Sequence, residues 1–110
     1  MFWCSSVSNS PSFDRALEDI TRDISVKLGT KKADLAIVMA YGKLLPQEIL
    51  DAPKNGCLNV HLSLLPRWRG ASPVEYALLS GDKKSGVTII RLVNKLDAGP
   101  ILSKSSIVIS

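Results

Sequence analysis

Cysteine is scarce in this chain, long apolar runs are missing and no low-complexity tract interrupts it, and each lack removes a class of protein. Cys4 and Cys57 are too few and too far apart for a disulfide framework, and no Cys-x-x-Cys pair suggests a metal site. A reducing compartment is the natural reading. No apolar stretch approaches the roughly 18–20 residues that a membrane-spanning helix needs. Charge of either sign is not in large excess: 14 Lys and Arg against 10 Asp and Glu leave +4. That balance suits an anionic partner such as nucleic acid or a polyanionic cofactor without requiring one. The residues up to Pro11 are serine-rich and carry no charge, the first acid being Asp14 and the first base Arg15. They lack an apolar core of secretory length, and three readings stay open: a transit peptide, a disordered end or an odd translation start. Residues 1–12 are taken as a disordered or non-native start.

What is there reads as one globular domain at most, with 110 residues, 45% of them hydrophobic and 22% charged. A domain of this size buries about two-thirds of its unfolded surface, so losing one central strand would hurt. Phe13, Leu17, Ile20, Ile24 and Leu28 recur at spacings of three and four, which predicts an amphipathic helix that Gly29 ends. The continuous apolar run from Leu35 to Ala40 predicts a strand buried on both faces, as in a parallel sheet covered by helices. Leu45 to Leu50 reads as a short helix with Pro46 in its first turn. Cys57 to His61 reads as a second strand, and Ser63 to Gly70 as a loop. Ser72-Pro73-Val74-Glu75 predicts a helix start with a serine cap and a capping box, the helix running to about Ser80 and stopping at Gly81. Gly86 to Val93 is β-branched enough for a third strand, and Ile101 to Ile109 supplies one or two more. The order of elements predicts an α/β fold with helices on the faces of a sheet.

Four features carry candidate chemistry. Asn59 and His61 lie two apart on a predicted strand, so both point to one face. An amide donor beside an imidazole can stabilise an oxyanion and move a proton; a lone histidine is otherwise a structural residue. Ser63-Leu64-Leu65-Pro66 follows, by itself an ordinary loop with two apolar side chains turned inward. Asp97, before Ala98-Gly99-Pro100, is either a turn former or a carboxylate that orients the imidazole. Arg67-Trp68-Arg69 can bind phosphate or stack a base, or can be a surface turn whose Trp covers the core.

Together, the stretch from Asn59 to Pro73 closely resembles the signature of methionyl-tRNA formyltransferases. The match continues through Gly81-Asp82, Gly86 to Ile89 and Leu96 to Leu102, and upstream from Asp34 to Leu45. The resemblance implies an incomplete Rossmann-like formyltransferase fold, a mostly parallel sheet with helices on both faces, with residues 13–110 as a partial catalytic domain. It implies Asn59, His61 and Asp97 as the catalytic trio, the first two holding the oxyanion and Asp97 pairing with His61 to carry a proton. Ser63, Leu64, Leu65 and Pro66 would line the folate site. The donor would be 10-formyltetrahydrofolate, the acceptor the amino group of initiator methionyl-tRNA, and no metal or membrane is implied.

Related formyltransferases that act on small amines share several of these elements, and the Arg67 to Ala71 continuation is most like the tRNA enzymes. Leu62 stands where the family usually has Gly or Pro. The family's first strand–helix units and its C-terminal barrel have no counterpart here, which implies an apolar edge at Leu35 to Ala40. A truncated, inactive fragment of the enzyme is thus the second reading, and a nucleic-acid-binding module without catalysis a third. Family habit further implies a mitochondrial location, or the cytoplasm for a bacterial source.

Overall fold

The computed structural model describes residues 13–39 and 43–109, which fall into two compact units divided after Ala33. The non-native start assigned to residues 1–12 lies outside the described residues. In the first unit, α1 (Phe13–Leu28) is the amphipathic helix that the periodicity predicts. Gly29 closes it at φ 59°, where a side chain would be strained, and the Lys31 amide returns to the Leu28 carbonyl.

The second unit is a four-stranded sheet in the order β1 (Ala36–Met39), β2 (Cys57–His61), β3 (Lys84–Arg91) and β4 (Ile101–Val108). Helix α2 (Gln47–Asp51) joins β1 to β2, and α3 (Pro73–Leu79) precedes β3. The α/β class is as expected. The mostly parallel sheet is not: β1 pairs with β2 in parallel, but β2 with β3 and β3 with β4 are antiparallel. The register gives the reason. His61, the last residue of β2, faces Thr88, and β3 begins four residues before Thr88. The loop and α3 therefore deliver the chain beyond the end where β2 stops, instead of carrying it back to where β2 began.

Alternation along the strands assigns the faces. Cys57, Asn59 and His61 share a face with Ile90 and Thr88, their neighbours across β3. The Cys57 thiol meets the Ile49 and Leu50 carbonyls at 3.7 and 3.9 Å, so α2 packs on this side. Val74, Ala77 and Leu78 of α3 border a second hollow with Ser85, Val87, Ser105 and Ile107, which point the other way. The two helices thus flank opposite faces.

Among the described residues Leu50, Pro53, Cys57, Leu65, Ala77 and Ile90 are buried apolar side chains, and they are joined by buried His61, Ser63, Thr88 and Asp97. Burial pushes the Cys57 thiol up from its ordinary pKa, with the charge of Asp51 adding to it. Strand β1 is not buried on both faces as its apolar run predicts. Ile37 and Met39, which alternate onto the face opposite Cys57 and Asn59, are exposed, and β1 is the edge of the described sheet.

The capping box at Ser72 does not form. Ser72 sits at φ 58°, ψ 43° and makes no side-chain cap bond, whereas a serine cap needs extended dihedrals to reach back to the first turn. Pro73 still opens the helix, and Gly81 at φ 70° follows its end.

One close approach fixes the β3–β4 contact. A Cβ added at Gly86 would lie 2.1 Å from the Ser105 carbonyl oxygen and 2.7 Å from Leu64 Cδ2. Gly86→Ala is therefore expected to destabilise the chain by about 1–3 kcal/mol. The measurement is the urea midpoint at constant m-value; an unchanged midpoint would show that the strands have room to spare.

Candidate active site

The carboxyl end of β2 puts Asn59 and His61 on one face. The loop after β3 brings Asp97 back to them, 36 residues further along. Asp97 Oδ1 is 3.6 Å from His61 Nδ1 and accepts a weak bond from the Asn59 amide at 3.4 Å. Its Oδ2 accepts from the Gly70 backbone N–H at 2.6 Å. His61 and Asp97 are both buried, and with Asn59 they line an open cavity of about 410 Å³. Val38, Leu44, Leu45, Leu50, Val93 and Leu96 give the cavity apolar walls, and Lys43 and Lys95 lie at it as well. Its size is that of a pocket for a small organic ligand, with few polar groups to orient it.

The second nitrogen of His61 decides the tautomer. Nε2 lies 2.8 Å from the Trp68 carbonyl oxygen, which can only accept, so Nε2 carries the hydrogen. A neutral ring then turns the bare Nδ1 toward Asp97, and a protonated ring donates to the Trp68 carbonyl while its charge faces the Asp97 carboxylate at 3.6 Å. The arrangement can therefore take up a proton at Nδ1, between imidazole and carboxylate. Asn59 spends one amide hydrogen on Asp97 and has a second, for which no acceptor is present among the described residues.

The loop between β2 and α3 is what carries the Trp68 carbonyl and the Gly70 amide to these positions. Buried Thr88 receives the Leu65 amide at 3.1 Å and donates to the Ser63 carbonyl at 2.6 Å. The Ser63 hydroxyl donates to the Arg67 carbonyl at 2.6 Å, and the Lys104 ammonium donates to the Leu65 carbonyl. The Leu65–Pro66 peptide is cis. Ser63, Leu64, Leu65 and Pro66, read above as a folate-site lining, do not border the cavity; Ser63 and Leu65 face inward, onto the sheet.

Three residues without glycine's freedom take positive φ around the site: Trp68 at 60°, Ser72 at 58° and Asp97 at 47°. Each such conformation costs about 1–2 kcal/mol, so the surroundings must hold it. At Asp97 the carboxylate is tied to the Gly70 amide and to Asn59, and two residues on Gly99 packs on β3, where an added Cβ would fall 1.7 Å from the Arg91 carbonyl oxygen.

The Arg67-Trp68-Arg69 cluster divides. Arg67 forks onto Asp82 at 2.9 and 2.7 Å and stacks its guanidinium 4.3 Å above the Trp68 ring. The Trp68 indole N–H reaches Asp82 at 2.8 Å, and its ring stacks on Tyr76 at 5.6 Å and 13°. Arg69 is exposed and makes no hydrogen bond or ion pair among the described residues. Sequence reasoning missed the structural use of Thr88 and Asp82; Gly81-Asp82 stood in the motif, but nothing local names its partners. Among the described residues no three His, Cys, Asp or Glu side chains gather to hold a metal ion.

The model of the formyl transferase family matches residues 5–110. The chain belongs to the formyl transferase family. The methionyl-tRNA formyltransferase of Wolbachia pipientis subsp. Culex pipiens (strain wPip) is 53% identical over 83 residues, 76% of this chain and 28% of the relative. That of Rhizorhabdus wittichii is 63% identical over 70 residues, 64% of this chain and 23% of the relative. This formyl transferase chain thus spans about a quarter of the length of the curated relatives it matches. Among solved structures, a formyltetrahydrofolate deformylase from Pseudomonas syringae pv. tomato superposes with TM-score 0.71 and 28% identity, over 94% of this chain and 34% of its own. Glycinamide ribonucleotide transformylase 1 from Symbiobacterium toebii gives 0.70 and 28%, over 91% of this chain and 45% of its own.

Asp82 supplies a pH test of the loop. The bonds from Arg67, then from Trp68, hold its carboxyl down at about 2, against an ordinary 3.8. A carboxyl lowered on folding stabilises the fold above its unfolded value, and that contribution disappears as pH falls from 3.8 toward about 2. NMR titration of the Asp82 carboxyl carbon should find a midpoint near 2, rising in Arg67→Gln; a midpoint at the ordinary value would mean that the fork is open in solution.

Proposed function

We propose that the chain transfers a formyl group from 10-formyltetrahydrofolate to the amino group of methionine on initiator tRNA. The observation that carries this reading is the convergence of Asn59, His61 and Asp97 on one cavity in a formyl transferase chain. The amine nitrogen attacks the formyl carbon, and the carbonyl oxygen becomes an oxyanion that the second Asn59 hydrogen is placed to receive. His61, with Nε2 tied to Trp68, takes the ammonium proton at Nδ1 against Asp97, directly or through a water. Collapse of the intermediate breaks the bond to the folate nitrogen, which takes a proton, leaving the formylated amine and tetrahydrofolate. The apolar walls of the cavity suit the flat ring system of the folate.

Two facts support folate as donor and tRNA as acceptor. The Pseudomonas neighbour is named for formyltetrahydrofolate, and relatives at 53% and 63% identity are named for methionyl-tRNA. A small amine is the competing acceptor, on the strength of the glycinamide ribonucleotide neighbour at 28% identity. The mitochondrial location belongs to the same reading and is tested by following the tagged protein through cell fractionation.

The test is formyl transfer to charged initiator tRNA by the protein and its variants. His61→Ala should lower kcat by about 10²–10⁴-fold and Asn59→Ala by about 10²–10³-fold. Transfer to glycinamide ribonucleotide but not to tRNA would reassign the substrate. Absence of any transfer from a chain shown folded by circular dichroism would sink the proposal that these residues suffice.

A further inference from the structure

The Trp68 carbonyl selects the tautomer of His61, so whatever holds that carbonyl governs how the imidazole is presented. Trp68 takes a left-handed φ of 60°, a conformation that its surroundings must hold. Asp82 is the common partner in that holding. Its Oδ2 accepts from both Arg67 Nε and the Trp68 indole, and its Oδ1 accepts from Arg67 Nη2. Arg67 and Tyr76 also stack against the indole. Asp82 is itself set just past α3, with its amide on the Ala77 carbonyl at 3.0 Å, and only 15% of its side chain is exposed. Asp82, Arg67 and Tyr76 do not line the cavity.

We propose that Asp82 is a positioning residue for His61. By fixing the Arg67 and Trp68 side chains it fixes the Trp68 carbonyl, which keeps the hydrogen on Nε2 and turns Nδ1 to Asp97. The catalytic consequence rests on the function proposed above, whereas the tautomer is a property of the protein without substrate. An asparagine at position 82 would put an amide NH₂ against an N–H donor of Arg67 or Trp68 and lose at least one of the three bonds.

The experiment is ¹⁵N NMR of the His61 ring in the native chain and in Asp82→Asn. The native ring should show the Nε2–H tautomer alone. Asp82→Asn should show both tautomers, with the Trp68 indole signal moved toward its solvent-exposed position. In the formyl-transfer assay the same variant should lose about tenfold to a hundredfold in kcat, with little change in KM and an altered pH profile, and Asp82→Glu should recover part of it. A folded Asp82→Asn with the native tautomer and the native pH profile would overturn the proposal and leave Asp82 as a structural clamp only. Should Asp82→Asn fail to fold, Trp68→Phe removes the indole N–H while keeping the ring stack, and an unchanged tautomer there overturns it equally. Failure of the native chain to transfer formyl would count against the function and leave the tautomer result standing.

Discussion

Thr88 lies fully buried on β3, and its one hydroxyl satisfies two backbone groups of a loop that begins on the neighbouring strand. It accepts from the Leu65 amide while donating to the Ser63 carbonyl. Buried away from water, either group left unpaired would cost about 1–3 kcal/mol. The sheet thus dictates the course of the loop before any site residue is considered. Five and seven residues beyond Ser63 the chain delivers the Trp68 carbonyl to His61 and the Gly70 amide to Asp97. Site geometry is inherited from a hydroxyl whose two hydrogen bonds go to backbone and not to the candidate reacting groups. Valine at this position would match the shape and abandon both bonds.

Around this anchor, conformational strain is concentrated rather than spread. Trp68, Ser72 and Asp97 are the described non-glycine residues at positive φ, and all three belong to the segments that enclose the cavity. Elsewhere the chain uses glycine where the left-handed region is needed, as at Gly29 and Gly81. At Trp68 and Asp97 the side chain is needed as well. The indole ties the loop to Asp82, and the carboxylate gathers Asn59, His61 and Gly70, so glycine would relieve the strain and remove the contact.

The legible part of the fold was whatever rests on near neighbours in sequence. Helix α1 announced itself through apolar spacing and Gly29, and β2 came out at its observed bounds because Gly56 and the loop residues punctuate it. Asn59, His61 and Asp97 stood out through their motif, and the structure brings the three side chains together across 38 residues. What could not be read depends on partners far along the chain. The antiparallel setting of β3 follows from where the loop and α3 end in space, and apolar content says nothing of strand direction. For β1 the apolar run alone pointed to burial on both faces, whereas the family resemblance already implied the apolar edge that Ala36–Met39 forms among the described strands. Ser72 looked like a cap by residue type, but its dihedrals serve the loop. Asp82 looked like a residue after a helix-ending glycine, yet three of its bonds go to residues 14 and 15 positions earlier.

The span of the site carries a thermodynamic consequence. Asn59 and His61 sit on β2, while Asp97 follows β3 in the loop whose Gly99 packs on the Arg91 carbonyl at the strand's end. A molecule seated among them bridges two antiparallel strands whose pairing is the middle of the sheet. Occupancy and sheet integrity are then linked functions: a ligand at a hundred times its dissociation constant adds about 2.7 kcal/mol to the stability of the paired strands. In a unit whose described apolar core is this small, that is a substantial share of what holds it closed. Any molecule bound there is in this sense one more member of the sheet, counted only while it stays.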